Sequence, residues 1–243
     1  MLLGFSTGAI FRKTPSISRE IIDICREIGC NVIELSAKTD EEINLLGDLI
    51  ESGEKLDDFE YVSLHTPGNG FMFRKDAKHR DALRKFQRAY DHFGCKHLVV
   101  HPSEIEDWKV FDEFSFDLAV ENMSEDNPSP FYLPEQLQGI FEKNKDFKMT
   151  FDVKHAFESN GERKNLPEEL CEAFKEKIVE IHLSGYNPQV TKHEHRPLVE
   201  TLQDEIIDFV KDKQHLPIII ESDCESAGQM KAEYEYVKNI LEN

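Results

Sequence analysis

Asp152 and His155 stand three residues apart in K-M-T-F-D-V-K-H-A-F, residues 148–157, where an apolar run ends in a carboxylate. If Phe151 closes a buried parallel strand, Asp152 stands at its carboxyl end and His155 lies in the loop above, near enough to share a ligand. A carboxylate and an imidazole so placed suit either proton transfer or joint donation to a divalent cation. The choice depends on what else meets them.

The same signature recurs along the chain. Apolar runs also end at His65, His101, Glu121, His182 and Glu221. A later polar segment adds His193 and His195, which an extended backbone would point the same way. Taken singly, each histidine reads as a hydrogen-bonded structural residue. Six histidines and three carboxylates on one rim are a different matter, because so many ionisable groups are hard to satisfy without a bound cation.

The expectation is therefore a metal site built from His65, His101, Glu121, Asp152, His155, His182, His193, His195 and Glu221. Imidazole mixed with carboxylate and no thiolate suits Zn²⁺, with Mn²⁺ or Fe²⁺ as alternatives. These donors exceed what one ion takes, so two or three ions per chain are expected, with Glu121 as the central bridge. His79, His92, His97 and His215 fall on helices or strand entrances, where no chemistry is expected.

Such a rim needs a scaffold that brings many strand ends together. Strands are read at 2–6, 32–35, 61–65, 97–101, 117–121, the stretch from Lys148, 178–182 and 217–221. Between them lie helical patterns. Ile17, Ile21, Ile24 and Ile28 mark one face, stopped by Gly29; Thr39 with Glu42 makes a capping-box start; residues 76–93 form the longest helix, ended by Gly94. Pro128, Pro130 and Pro134 restrict the next loop. Leu202, Ile206 and Phe209 carry a further helix, and Met230, Tyr234, Val237 and Leu241 the closing one. This alternation predicts an α/β fold, a parallel (β/α)8 TIM barrel, with residues 1–243 as a single domain. A doubly wound open sheet is the alternative, disfavoured because no glycine-rich phosphate fingerprint follows the first strand.

Composition narrows the partners. With 29 Lys and Arg against 48 Asp and Glu, the formal charge of −19 opposes unassisted binding to nucleic acid or anionic lipid. A metal cluster inverts that field locally and can still receive a phosphate. Five cysteines without C-x-x-C spacing, and an N-terminus lacking a cationic stretch before an apolar core, read as a cytoplasmic protein with reduced thiols. No apolar run approaches the roughly 20 residues of a membrane span, so no membrane partner is expected.

On these residues the chain resembles the endonuclease IV group of the xylose-isomerase-like TIM barrels. The likeness is densest in D-V-K-H-A-F at 152–157, H-P at His101, E-N at Glu121 and H-x-H-x-P-L from His193 to Leu198; the family carries Asp where this chain has His193. The resemblance implies that these nine positions hold a trinuclear zinc cluster. It implies a metal-dependent phosphoric-ester hydrolase acting on a phosphate-containing substrate, damaged DNA among the candidates. Glu121 and Glu221 would be its catalytic carboxylates, bridging ions or taking the proton. The segment F-M-F-R-K-D-A-K-H-R from Phe71 offers aromatics beside basic residues for such a partner, or a cover for the barrel mouth. Ranked second is the other large branch of that superfamily, the sugar isomerases and epimerases. There Glu121, Asp152, His182 and Glu221 would hold one Mn²⁺, Co²⁺ or Mg²⁺ while the glutamates move a proton beside a carbonyl.

Overall fold

The computed structural model describes every residue except 11, 69, 126–130, 160, 162, 164 and 188–193. Eight parallel strands pair in chain order and close last to first into a barrel. They are β1 Leu3–Ser6, β2 Val32–Ser36, β3 Tyr61–His65, β4 Leu98–Val100, β5 Leu118–Glu121, β6 Lys148–Asp152, β7 Ile178–Leu183 and β8 Ile218–Ile220. The expected (β/α)8 barrel is thus the fold, and it forms one domain.

Helices occupy the outside: α1 Arg19–Ile28, α2 Asp40–Glu51, α3 Ala77–Phe93, α4 Pro134–Lys143, α5 Val153–Glu158, α6 Leu166–Phe174, α7 Leu198–Thr201, α8 Asp204–Asp208 and α9 Ala227–Glu242. Their ends follow local chemistry. Ser18 and Asp76 accept from the third backbone N–H beyond them, and Gly29 and Gly94 close α1 and α3 with φ of 90° and 64°, a region that costs a side-chain-bearing residue about 1 kcal/mol or more. After β4 the crossover is made of short 3-10 turns, Pro102–Glu104 and Trp108–Phe111.

The strand period of two sorts side chains into two populations. Phe5, Ile33, Leu35, Leu64, Val100, Val120, Phe151, Ile181 and Ile220 belong to one continuous apolar core with helix residues such as Ile21, Leu46 and Phe86. Fully burying each contributes about 1.5–3 kcal/mol. The alternate residues share the other face: Glu34 is level with Ser63, Ser36 with His65, and Asp152 with His182. They point into the barrel, and Val32, Tyr61 and Ile219 form a small separate apolar cluster.

Three local expectations change. Thr39 caps α2, but Glu42 does not return the bond; it accepts from Ser16 and from the backbone of Lys38, tying the β1–α1 connection to α2. Leu202 is not on a buried stripe: the expected helix divides into α7 and α8, and Leu202 turns the chain between them at φ 53° and is 66% exposed. His155 is in no loop. Asp152 is the N-cap of α5, its Oδ1 accepting from the backbone N–H of His155 at 2.7 Å. Pro128 and Pro130 lie outside the described residues.

Candidate metal centre at the carboxyl rim

Eight of the nine residues picked from strand ends meet at one mouth of the barrel; His193 lies outside the described residues. Glu121 is central. Its Oε2 stands 3.0 Å from His65 Nε2 and 3.1 Å from His101 Nε2, and its Oε1 3.6 Å from His155 Nδ1 and 3.7 Å from His182 Nδ1. Glu221 Oε2 is 3.1 Å from His182 Nδ1 and 3.8 Å from His195 Nδ1. Donor atoms of Glu121, Asp152, His182 and Glu221 all lie within 4.8 Å of one another. Around that set are four others of the same closeness, His65–His101–Glu121, His65–His182–Glu221, Asp152–His155–His195 and Glu34–Glu180–His182.

Fixed partners orient the rings from behind. His65 Nδ1 donates to the Thr66 carbonyl at 2.7 Å, which turns its Nε2 onto Glu121 Oε2, and His155 Nδ1 donates to the Asn122 carbonyl at 2.9 Å. Asn122 also exchanges two bonds with the backbone of Asp152, locking the end of β5 to the end of β6. His195 Nδ1 pairs with the Ser184 hydroxyl at 2.9 Å. Gly68 lies against the ring of His101, where an added Cβ would stand 2.9 Å from Nδ1.

Charge divides the cluster into two flanks. On the first, burial works against charging His65, but Glu34, Glu121 and Glu221 outweigh it and raise its pKa to about 9; burial likewise opposes charge on His182, which Glu221, Glu34 and Glu121 drive well above the ordinary value. Burial also opposes ionising Glu121 and Glu221, yet the adjacent histidines hold both well below the usual carboxylate range. On the second flank, burial and then the Lys154 ammonium lower His155 to about 3 and push His195 well down. Burial, with Glu121 and Glu221 nearby, raises Asp152.

A divalent cation fits this arrangement. His182 Nδ1 and Asp152 Oδ2 are both buried with no hydrogen-bond partner, and both residues belong to the four-donor set. Buried polar atoms left so cost about 1–3 kcal/mol each, and a cation between them would satisfy both. Protons on His65 and His182 supply the positive charge that the carboxylates otherwise demand.

Four participants escaped the sequence reading. Glu34 and Glu180, each 0% exposed, lie in the barrel just below the rim, and Lys154 is fully buried in an ion pair of 2.7 Å with Glu158. Asn122 is the fourth. Strand alternation carried the signal for the glutamates: in V-I-E-L-S and I-V-E-I-H each falls on the face that two residues later bears Ser36 or His182. The segment after β3 is held by local packing and ion pairs. Phe73 is 0% exposed and packs against Phe71, His79 and Phe111, while Arg74, Lys78 and Arg80 pair with Glu106, Asp40 and Glu113.

A parallel barrel with a divalent-cation donor set at its carboxyl rim defines a general class of α/β-barrel proteins. Residues 22–240 match the model of the xylose isomerase-like TIM barrel family, and the chain belongs to it. A search of curated protein sequences gives no match. Solved structures similar to it include a D-tagatose 3-epimerase-like protein (17% identity, TM-score 0.72, covering 100% of this chain and 97% of that one). An L-ribulose 3-epimerase is similar at 14% identity and TM-score 0.66 over 99% and 94% of the two chains. So is the 3-keto-D-glucoside 4-epimerase of E. coli, at 12% identity and TM-score 0.65 over 98% and 99%. The predominance of sugar epimerases among these structures overturns the expected endonuclease-like phosphoric-ester hydrolase. It also reverses the ranking that put isomerases and epimerases second. Members of this family commonly bind divalent metals.

Proposed function

We propose that the protein is a sugar isomerase or epimerase that works through one divalent cation held by Glu121, Asp152, His182 and Glu221. The observation that carries this reading is the convergence of donor atoms of those four side chains within 4.8 Å, with His182 Nδ1 and Asp152 Oδ2 both buried and neither holding a hydrogen bond. Three carboxylates and one imidazole suit Mn²⁺, Co²⁺ or Mg²⁺. The expected count of two or three ions, Zn²⁺ foremost, thereby narrows to one catalytic ion.

The bound ion would polarise a ketose carbonyl and acidify the neighbouring C–H. Glu121 and Glu221, held ionised by the histidines beside them, are placed to take that proton. Return by the same carboxylate to the adjacent carbon, as the hydroxyl proton of the first carbon passes to the carbonyl oxygen, moves the carbonyl; delivery to the opposite face inverts a centre, the other glutamate first taking a proton from a substrate hydroxyl and the first glutamate restoring it. His155 and His195, kept neutral by burial and Lys154, can hydrogen-bond sugar hydroxyls without adding charge. The depth of the site, with Glu121 and Asp152 each 1% exposed, keeps bulk water from quenching the carbanion.

The test combines elemental analysis with a panel of ketoses, ketose phosphates and 3-keto-glycosides incubated in D₂O with Mn²⁺, Co²⁺ or Mg²⁺. Deuterium should enter beside the carbonyl of at least one sugar, and Glu121→Gln should abolish the exchange. Metal-loaded protein that exchanges no sugar on the panel would sink the reading.

A further inference from the structure

His182 is 0% exposed, and its two ring nitrogens face different carboxylates. Nδ1 looks toward the four-donor set. Nε2 looks down the barrel, where Glu34 Oε2 stands at 3.2 Å, within hydrogen-bond distance, and Glu180 Oε1 at 3.9 Å, beyond it. Glu34 reaches this point from β2, across the barrel from β7.

The two lower glutamates are not equivalent. Glu180 is occupied elsewhere: the Tyr61 hydroxyl donates to its Oε2 and the Thr150 hydroxyl to its Oε1, both at 2.8 Å. Glu34 makes no such bond. Its Oε1 has no hydrogen-bond partner, and neither do the buried hydroxyls of Ser6 and Ser63, which stand level with it on the adjoining strands. A TIM-barrel interior is usually packed with bulky branched side chains. Serines flank Glu34 instead, leaving its side chain room to extend across the interior to His182.

We propose that Glu34 is a positioning residue, accepting from Nε2–H of His182 and so fixing the tautomer and ring angle that present the Nδ1 lone pair to the cation. The proposal rests on the metal-centre reading above, and it adds a carboxylate–imidazole–metal relay from a strand that supplies no ligand. Glu180 holds a hydroxyl network beside the relay and is not part of it. Partners of this kind change metal affinity by about 10–100-fold when removed.

Mn²⁺ affinity, measured by competition with a chelator in the absence of sugar, should weaken by about 10–100-fold in Glu34→Gln. In Glu180→Gln it should stay within about twofold. The Co²⁺ ligand-field spectrum should shift in the first variant alone. Equal affinity for Glu34→Gln and wild type, or equal loosening of both variants, would overturn the proposal. Wild-type protein gives a check that does not depend on either variant folding. In Zn²⁺-loaded, ¹⁵N-histidine-labelled protein, His182 should keep its proton on Nε2 with Nδ1 bound, and the reverse tautomer would refute the role of Glu34. Loosened Mn²⁺ binding together with no exchange on any sugar would remove the epimerase reading and leave Glu34 in its place.

Discussion

The two flanks of the metal centre are made of similar residues yet hold their protons in opposite ways. His65 and His182 stand among carboxylates and are drawn toward the charged form, whereas His155 and His195 are pushed toward neutrality by burial and Lys154. One buried ammonium accounts for much of this contrast. Lys154 follows Asp152 by two residues, and because α5 begins at Val153 its side chain is carried into the protein, where Glu158 receives it one turn later. A carboxylate-rich half suits a cation, and a neutral imidazole half suits the uncharged part of a substrate.

Glu121 joins the flanks, so its removal should have the largest effect. Glu121→Gln is expected to lower sugar exchange by about 10³-fold or more and to reduce bound metal, both read on the same preparation. Retained metal with full exchange would show that the flanks work without their bridge. Next in size is Lys154→Met. Leaving Glu158 unpaired should cost roughly 3–5 kcal/mol in urea unfolding, and much of that should return in Lys154→Met/Glu158→Gln. In the double variant His155 should titrate well above its value of about 3, as followed by imidazole NMR. An unmoved His155 would leave burial as the sole cause.

The flanks should also appear in the pH dependence of the metal-free protein. His65, raised to about 9 from 6.5, contributes stability that is complete below the unfolded value and is lost as pH rises through about 9. His155, lowered to about 3, contributes stability present above 6.5 and lost as pH falls toward 3. From these two groups stability peaks near neutrality, and bound metal should reduce the alkaline fall, because a cation among Glu121, Asp152, His182 and Glu221 offsets the carboxylate charge that raises His65. Identical alkaline slopes with and without metal would count against a cation seated beside Glu121 and Glu221. The smallest effect belongs to Gly68→Ala, whose methyl must displace the His101 ring. Exchange should fall about tenfold with the fold intact, by circular dichroism and activity together.

Much of this was legible in the sequence because strand ends are punctuated: an apolar run closing on His or Glu is visible residue by residue, and the barrel places all such ends on one rim. Glu34 and Glu180 were hidden by the same logic. They fall inside apolar runs, and the role of Glu34 depends on β2 facing β7 across a closed barrel, a relation between residues 148 positions apart. The helix expected through Leu202 failed for a local reason, since three apolar residues at helical spacing cannot reveal a turn between the first and second. Chemistry was harder still, because the same donors serve hydrolysis and proton transfer.

Asp152 spends one oxygen on the backbone and leaves the other for the site. Its Oδ1 holds the first turn of α5 while Oδ2 makes no hydrogen bond and stands 3.5 Å from His155 Nδ1. Few substitutions can preserve both offices: Asn keeps the cap but loses the anion, and Glu keeps the anion but reaches past the cap. Chain folding and ion capture are thereby tied to one side chain, so drift at this position is policed twice, and loss of the ion should be felt along α5 as faster amide exchange.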